Sequence, residues 1–375
     1  MRLLLINSEY PPIGGGAGNA SGHIAACLAK SGYDVTVVTS RFDNLPHKEQ
    51  TNNLTVHRIP SLRRKQDRSG ALEQILFIIS ASLWTLQLIP RLKPNATLAI
   101  FGVPSGAIAL MLKKLFKIPY IVSLRGGDVP GFRPYDFDFY HRLVAPLLHI
   151  IWKQASAVVA NSNGLRNLAQ SFDSRFEIPI IPNGVDLDVY ATKEHDWSTP
   201  RILSVGRIVH QKGLDLAVHA LSDLKDLNWE WHIVGDGPEM NALKTLAAQL
   251  GISDRVIFQG WQSRAELIQC YKHSNLFLFP SRHEGMPNAV LEAMASGLPV
   301  IASRIAGNEE LVLDSETGLL VESENREALR NALRDLLTNP TLRQKMGAAS
   351  RQRVEQHYSW ENTARQYAAL LEKVK

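Results

Sequence analysis

The chain has 375 residues, 45% apolar and 21% charged, with a net charge of +5, a composition that fits two or three ordinary globular domains and excludes a disordered or fibrous chain. Two widely separated cysteines, Cys27 and Cys270, exclude a disulfide framework and a multi-cysteine metal site, and fit a reducing compartment. Residues 1–190 carry 20 Lys+Arg against 13 Asp+Glu, whereas 191–375 carry 21 against 23. The basic first half points to anionic partners, but its cations are scattered and no recognition motif accompanies them, which speaks against nucleic acid.

The opening MRLLLIN runs directly into polar EYPP, so no cleaved signal peptide is expected. Strand-like apolar runs follow at Arg2–Ile6, Asp34–Thr39, Thr55–Ile59, Thr97–Phe101, Tyr120–Ser123 and Ala157–Ala160, with helical runs such as Ala20–Lys30 and Ser105–Phe116 between them. Between the third and fourth strands, Ala71–Ile89 is apolar enough to imitate a membrane span. Glu73, Gln74, Ser80, Ser82, Thr85 and Gln87 dilute it, and Pro90 is expected to stop it short of the roughly 20 residues a bilayer needs. A buried core helix is the expectation.

The turn-rich segment 181–200 then breaks the alternation, and a second series follows. Its strands are expected at Ile202–Val205, Trp231–Val234, Val256–Phe258, Leu276–Phe279, Pro299–Ala302 and Leu319–Val321. Helices are expected at Leu214–Leu221, Met240–Leu250 and Ala265–Cys270. Near-continuous apolar strands alternating with helices predict α/β architecture with parallel sheets covered on both faces. The reading is two Rossmann-like domains facing a cleft, 1–185 and 186–357, and a separate C-terminal helix within 358–375. Ligands of such folds sit at the carboxyl ends of the strands.

Three loops at such ends carry candidate chemistry. The first, NSEYPPIGGGAGNASG, places Gly14, Gly15, Gly16 and Gly18 before a helix, where backbone amides can meet a ligand. The dinucleotide spacing fails, because Ser21 stands where the third glycine belongs. A phosphate or sugar contact, or a merely flexible loop, remains. The second, RILSVGRIVHQKGLDL, sets Arg207 and Lys212 on one loop, a planar fork and a point charge suited to a diphosphate; solvated surface cations are the alternative. The third, LFLFPSRHEGMPNAVLEAMASG, is the richest. Pro287 is expected at the first helical position, leaving the next amides to an anion. Glu284 and Glu292 would repel phosphate, so hydroxyl groups are their fitting partners. Helix-start and surface charges are the alternative.

In this order, the GGG loop, SLRGGDV, NSNGL, IPNGVD, SVGRIVHQKG, IVGDGPE, VIFQGW and EGMPNAVLEAMASGLPVIAS resemble the retaining glycosyltransferases of family 4 (glycosyl transferases group 1), of GT-B fold. Glu284 and Glu292 match that family's E-x7-E signature. The resemblance implies a retaining transferase that moves a hexose or N-acetylhexosamine from a UDP- or GDP-linked donor to a hydroxyl of a glycan or lipid-linked acceptor. It implies that Arg207 and Lys212 hold the diphosphate, Glu284 the transferred sugar and Glu292 the ribose. Backbone at Gly285, Met286, Pro287, Asn288, Gly15 and Gly16 would complete the donor site. Arg125 and Asp128 would lie at the sugar's reacting face, although many members carry histidine where Arg125 stands. The C-terminal helix would cross back onto the first domain.

No cofactor is implied and no metal, since Asp136–Asp138 and Asp186–Asp188 do not follow apolar strands as metal-binding Asp-x-Asp pairs do. A nucleotide-sugar epimerase or hydrolase, and a silent nucleotide or carbohydrate binder, are the rival readings. A cytoplasmic enzyme is expected. The cluster Arg58, Arg63, Arg64, Lys65 and Arg68, with Trp84 as an apolar neighbour, suggests reversible contact with an anionic inner leaflet.

Overall fold

The computed structural model describes residues 1–66, 69–132, 134–190 and 200–374, apart from the side chains of 134–138 and 140. The chain forms two compact units, Met1–Asn183 with Trp360–Lys375, and Gly184–Ser359.

Unit 1 contains β1 (Arg2–Ile6), α1 (Gly16–Lys30), β2 (Asp34–Ser40), β3 (Lys48–Thr51), β4 (Leu54–Ile59), α2 (Ala71–Leu92) and β5 (Ala96–Ile100). It continues with α3 (Ala107–Phe116), β6 (Tyr120–Ser123), α4 (Pro134–Gln154), β7 (Ala157–Val159) and α5 (Asn163–Phe172). Its sheet order is β3-β4-β2-β1-β5-β6-β7, parallel except for the β3–β4 pair. β1 shows why the sheet is a core layer: Leu3 and Leu5 pack on one face against Ile24 and Leu28 of α1, while Leu4 and Ile6 pack on the other against Phe77 and Ala81 of α2.

Unit 2 contains β8 (Arg201–Val205), α6 (Leu214–Ser222), β9 (Glu230–Val234), α7 (Met240–Gln249), β10 (Val256–Gly260), α8 (Arg264–Lys272), β11 (Leu276–Phe279) and α9 (Asn288–Ala295). After these come β12 (Val300–Ser303), α10 (Ala306–Glu309), β13 (Gly318–Val321), α11 (Arg326–Thr338) and α12 (Pro340–His357). Its all-parallel sheet runs β10-β9-β8-β11-β12-β13. Strand order reverses between β8 and β11, which opens a crevice at their carboxyl ends.

The last helix, α13 (Trp360–Val374), returns to unit 1 and packs on α1. Trp360 stacks on His23 at 4.8 Å, and Tyr367 and Leu371 are buried in the core that α1 shares with the sheet. Two Rossmann-like α/β units with a C-terminal helix on the first match the GT-B architecture.

Two expectations fail in α2. The helix does not stop before Pro90 but runs through it to Leu92. Nor is it buried. Only Phe77, Ala81, Thr85 and Ile89, one residue per turn, are buried, while Leu72, Ile75, Ile79 and Leu83 are more than half exposed. The sequence is apolar nearly all round, so periodicity did not reveal which side meets the sheet. The basic cluster is also divided. Arg58 and Arg63 are buried, bonding the carbonyls of Pro11 and of Ser8, Lys65 and Gln66, so they hold loops together. Arg64 and Lys65 are exposed, and Arg68 lies outside the described residues. Trp84 is partly buried and packs against His57.

Candidate active site

The site in unit 2 grows from three loops at the carboxyl end of its sheet. After β8 the chain turns at Gly206, and residues 210–212 form one tight helical turn before Gly213 opens α6. Gly213 has φ +62, and a Cβ there would lie 2.1 Å from the Pro280 carbonyl oxygen, so only glycine fits. The loop after β9 lies against this turn: the Ile208 amide donates to Asp236 O at 2.9 Å, and a Cβ at Gly235 would meet Gly206 O at 1.9 Å.

The loop after β11 is tied to the same turn. The Arg282 amide donates to Gln211 O at 2.8 Å, its guanidinium to His210 O, and Gln211 Nε2 to His283 O. Arg282 also forks onto Asp215 at 3.0 and 2.9 Å and bonds Glu324 at 3.0 Å, and Asp215 in particular holds its guanidinium above the ordinary value. These contacts fix the position of Lys212, whose Nζ sits 2.7 Å from Glu284 Oε1 and 4.6 Å from the centroid of the Phe279 ring. Arg207, on the same loop, is exposed, and its carbonyl accepts from the Val209 amide at 3.0 Å while its guanidinium has no hydrogen bond or ion pair among the described residues. Ser204–Arg207, Lys212, Leu214, Ile233 and Leu278–Pro280 wall a shallow open depression at the strand-order reversal.

Pro287 is the N-cap of α9, not its first helical residue; its carbonyl accepts from the Val290 amide at 3.1 Å. The Ala289 amide precedes the first intrahelical bond, so the anion-favouring end lies one residue later than the sequence suggested. Met286 is buried in the core, which leaves its backbone for the loop. Gly307 of α10 packs under that loop, where a Cβ would meet Gly285 O at 2.7 Å.

Glu292, in the second turn of α9, does not join the Lys212–Glu284 pair. Tyr271 Oη donates to its Oε2 at 2.9 Å, and Tyr190 bonds it as well. Burial pushes its carboxyl up to about 7, against the two tyrosines, whose bonds favour the ionised form.

The remaining candidates lie in unit 1. Gly15 is the N-cap of α1 and its amide points to Glu9 Oε2 at 3.4 Å; Gly16 is the first helical residue. Asp128 is buried: Oδ2 accepts from the Gly102 amide at 2.7 Å, and Oδ1 from Arg125 and Gly126 at 3.0 and 3.2 Å. Burial raises its pKa, and the amide bonds pull the other way. Its visible task is to hold the β6 loop. Arg125 donates to Asn183 Oδ1 at 2.6 Å and to Tyr367 Oη at 3.2 Å, and that hydroxyl also meets Ser123 Oγ at 2.7 Å. Of the Asp-x-Asp strings, Asp186 caps a turn at the Val189 amide and pairs with Arg264 at 3.6 Å. The side chains of Asp136 and Asp138 lie outside the described residues.

Sequence reasoning missed Arg282, Gln211, Tyr190, Tyr271, Gly235 and Gly307. Arg282 and Gln211 stand inside the quoted loops, so their position was a usable signal; the tyrosines approach from elements remote in sequence and gave none.

Comparison with known proteins bears on this geometry. Residues 192–353 match the family model for glycosyl transferases group 1, and residues 14–189 that for glycosyltransferase family 4. An uncharacterized glycosyltransferase of Haemophilus influenzae is 30% identical over 342 residues, 90% of this chain and 91% of its own. The lipopolysaccharide core biosynthesis glycosyltransferase LpsE of Rhizobium meliloti is 25% identical over 95% of this chain and 96% of its own. Among solved structures, Anabaena HepE in complex with UDP-glucose is similar at a TM-score of 0.79 and 18% identity, covering 100% of both chains, a likeness of fold. With the GT-B architecture in place and both halves matched, the chain belongs to the group 1 (family 4) glycosyltransferases and is a glycosyltransferase enzyme.

Proposed function

We propose that this enzyme transfers a hexose or N-acetylhexosamine from a UDP- or GDP-linked donor to a hydroxyl of a glycan or lipid-linked acceptor, with retention and without a metal. The observation that carries the reading is one cationic loop: Arg207, whose guanidinium has no partner among the described residues, and Lys212, which is oriented by Glu284 and the Phe279 ring. In transfer, the acceptor oxygen bonds the anomeric carbon as the bond from that carbon to the diphosphate oxygen breaks, and the hydroxyl proton leaves with the diphosphate. Negative charge therefore builds on the departing group. Arg207, Lys212 and the N-terminus of α9 stabilise it, each fixed donor contributing on the order of 10²–10³ in rate. Glu284 orients hydroxyls of the sugar and Glu292 those of the ribose. Gly15 and Gly16 contribute backbone amides to the phosphates, and Arg125 and Asp128 shape the reacting face. The likeness to HepE with bound UDP-glucose supports a nucleotide-sugar donor, and the likeness to LpsE supports a glycolipid-type acceptor. The enzyme works in the cytoplasm, in reversible contact with the inner leaflet.

A thermal-shift screen of nucleotide sugars tests the donor. The true donor at 100 times its Kd stabilises by roughly 2.7 kcal/mol, and mass spectrometry with acceptor glycans should then find a product one sugar heavier. Release of free sugar or an epimer with no acceptor present would replace transferase by hydrolase or epimerase, and no shift with any nucleotide sugar would refute the donor class.

A further inference from the structure

At the carboxyl end of β6, where parallel sheets receive their ligands, one cation is held in place yet left without a counter-charge. Arg125 stands two residues past Ser123, the last of β6. A guanidinium has five N–H groups and no acceptor. One, on Nη1, goes to Asn183 Oδ1 at 2.6 Å, and one, on Nη2, goes to Tyr367 Oη at 3.2 Å. Both acceptors are neutral. The Nε–H is buried without a partner, and no carboxylate pairs with the group among the described residues. Asp128, three residues on, spends its oxygens on the amides of Gly102, Arg125 and Gly126. Arg58 and Arg63, the buried arginines of the same unit, are built differently. Each faces an acid, Glu49 at 3.0 Å and Glu9 at 3.6 Å.

The fork of Arg125 is oriented before any ligand arrives. Tyr367 belongs to α13 and is 1% exposed. Its hydroxyl, which accepts from Arg125, is itself held by Ser123 Oγ at 2.7 Å, and Asn183 grips the other terminal nitrogen. Both tips are thus fixed, which lowers the ordering cost of binding. Beside them the loop leaves room, since a Cβ at Gly127 would meet nothing within 4 Å. A staple between α13 and β6 would need no charge, and a half-buried cation with only neutral partners is costly to keep.

We infer that Arg125 is a receptor for an oxyanion, a carboxylate or phosphate carried by one of the reactants, with Tyr367, Asn183 and Ser123 as its positioning residues. The inference rests on the transferase reading and adds a substrate class to it: one reactant is acidic. The donor's diphosphate does not fill this role, because Arg207 and Lys212 of unit 2 serve it in the proposed function. The anion therefore belongs to the acceptor, or to the transferred sugar as a uronic acid. A planar fork matches two oxygens of either group, and the cationic excess of residues 1–190 attracts it.

Two arms test the inference and separate the sources. Calorimetric titration with glucose 6-phosphate and glucuronate against glucose, with UDP or GDP saturating, reads the acceptor. Thermal shifts with paired nucleotide sugars, UDP-glucuronate against UDP-glucose and GDP-mannuronate against GDP-mannose, read the transferred sugar. In one arm wild type should favour the acidic member by at least about tenfold in affinity. Arg125→Gln should abolish that preference and bind the neutral member as wild type does. Arg125→Lys, which keeps the charge but not the fork, should keep part of it. Tyr367→Phe should reduce the preference about threefold with the neutral member unchanged, which a merely structural loss would not do. The shift given by UDP or GDP alone rests on unit 2 and should be the same in all four proteins; its absence from wild type would fail the donor reading and not this one. Wild type without an acidic preference in either arm, or Arg125→Gln that retains it, would overturn the inference and leave Arg125 a staple between α13 and β6.

Discussion

Replacing Glu292 by glutamine should make the donor-free enzyme more stable at pH 8 while weakening its hold on the donor. The carboxyl has its pKa pushed by burial from the ordinary 4.5 up to about 7. Between those two values the folded protein keeps a proton that the unfolded chain has released, so stability falls as pH rises from about 4.5 to 7 and is level above. At about 1.4 kcal/mol per pH unit, the interval corresponds to a ceiling of about 3 kcal/mol, a ceiling because the side chain keeps some contact with solvent. Glutamine carries no charge and still accepts the hydrogen bond from Tyr271. The variant should therefore match wild type near pH 4.5, exceed it progressively to about pH 7 and keep that lead at pH 8. For a unit of this size the gain in Tm is at most roughly 6–12 °C. Thermal unfolding of both proteins at four pH values, without nucleotide, reads the difference curve. The same variant should bind the donor about tenfold more weakly, since a charged acceptor of ribose hydroxyls is lost. A flat difference curve, or a variant less stable at pH 8, would show that the folded site does not resist the charge.

Arg207→Ala should lower kcat by roughly 10²–10³ with little change in Tm, because the side chain is exposed and has no partner among the described residues; kinetics within threefold of wild type would remove it from the leaving-group site. Activity should survive excess chelator, whereas loss with EDTA restored by magnesium or manganese would require a metal in place of the Arg207–Lys212 pair. Gly235→Ala should destabilise unit 2 by on the order of 2–4 kcal/mol, since φ is +134 and the new Cβ would strike Gly206 O; an unfolding midpoint unchanged from wild type would refute the close approach.

Most of the architecture was legible because parallel strands buried on both faces leave an unmistakable mark. LFLF is β11 in the sequence and in the structure alike. β3 was not legible: every residue of KEQT is exposed at the sheet edge, and an antiparallel edge strand needs no apolar residue. Pro287 was placed one residue too far into its helix because proline's preference for N1 is a tendency, and here the proline is the N-cap instead. The two glutamates were named from their spacing, but spacing could not divide them. One is paired with Lys212 and the other is held by Tyr271, which arrives from a different helix. Asp128 illustrates the opposite limit. A carboxylate in a glycine-rich loop reads as chemistry, and nothing in the spacing showed that it also satisfies three amides of the loops around it.

The return of α13 to unit 1 has a consequence for biosynthesis. Residues 1–183 cannot complete their own core when they leave the ribosome, because Trp360, Ala364, Tyr367 and Leu371 close it and are made after unit 2. Unit 2 is continuous in sequence and has no such wait. The nascent first unit therefore leaves the side of α1 that α13 covers, where His23 meets Trp360, open for as long as the second is being translated and folded. Truncation near residue 360 would damage the fold at the opposite end of the chain, and a protease cutting between unit 2 and α13 would strip the cover from a domain it never touched.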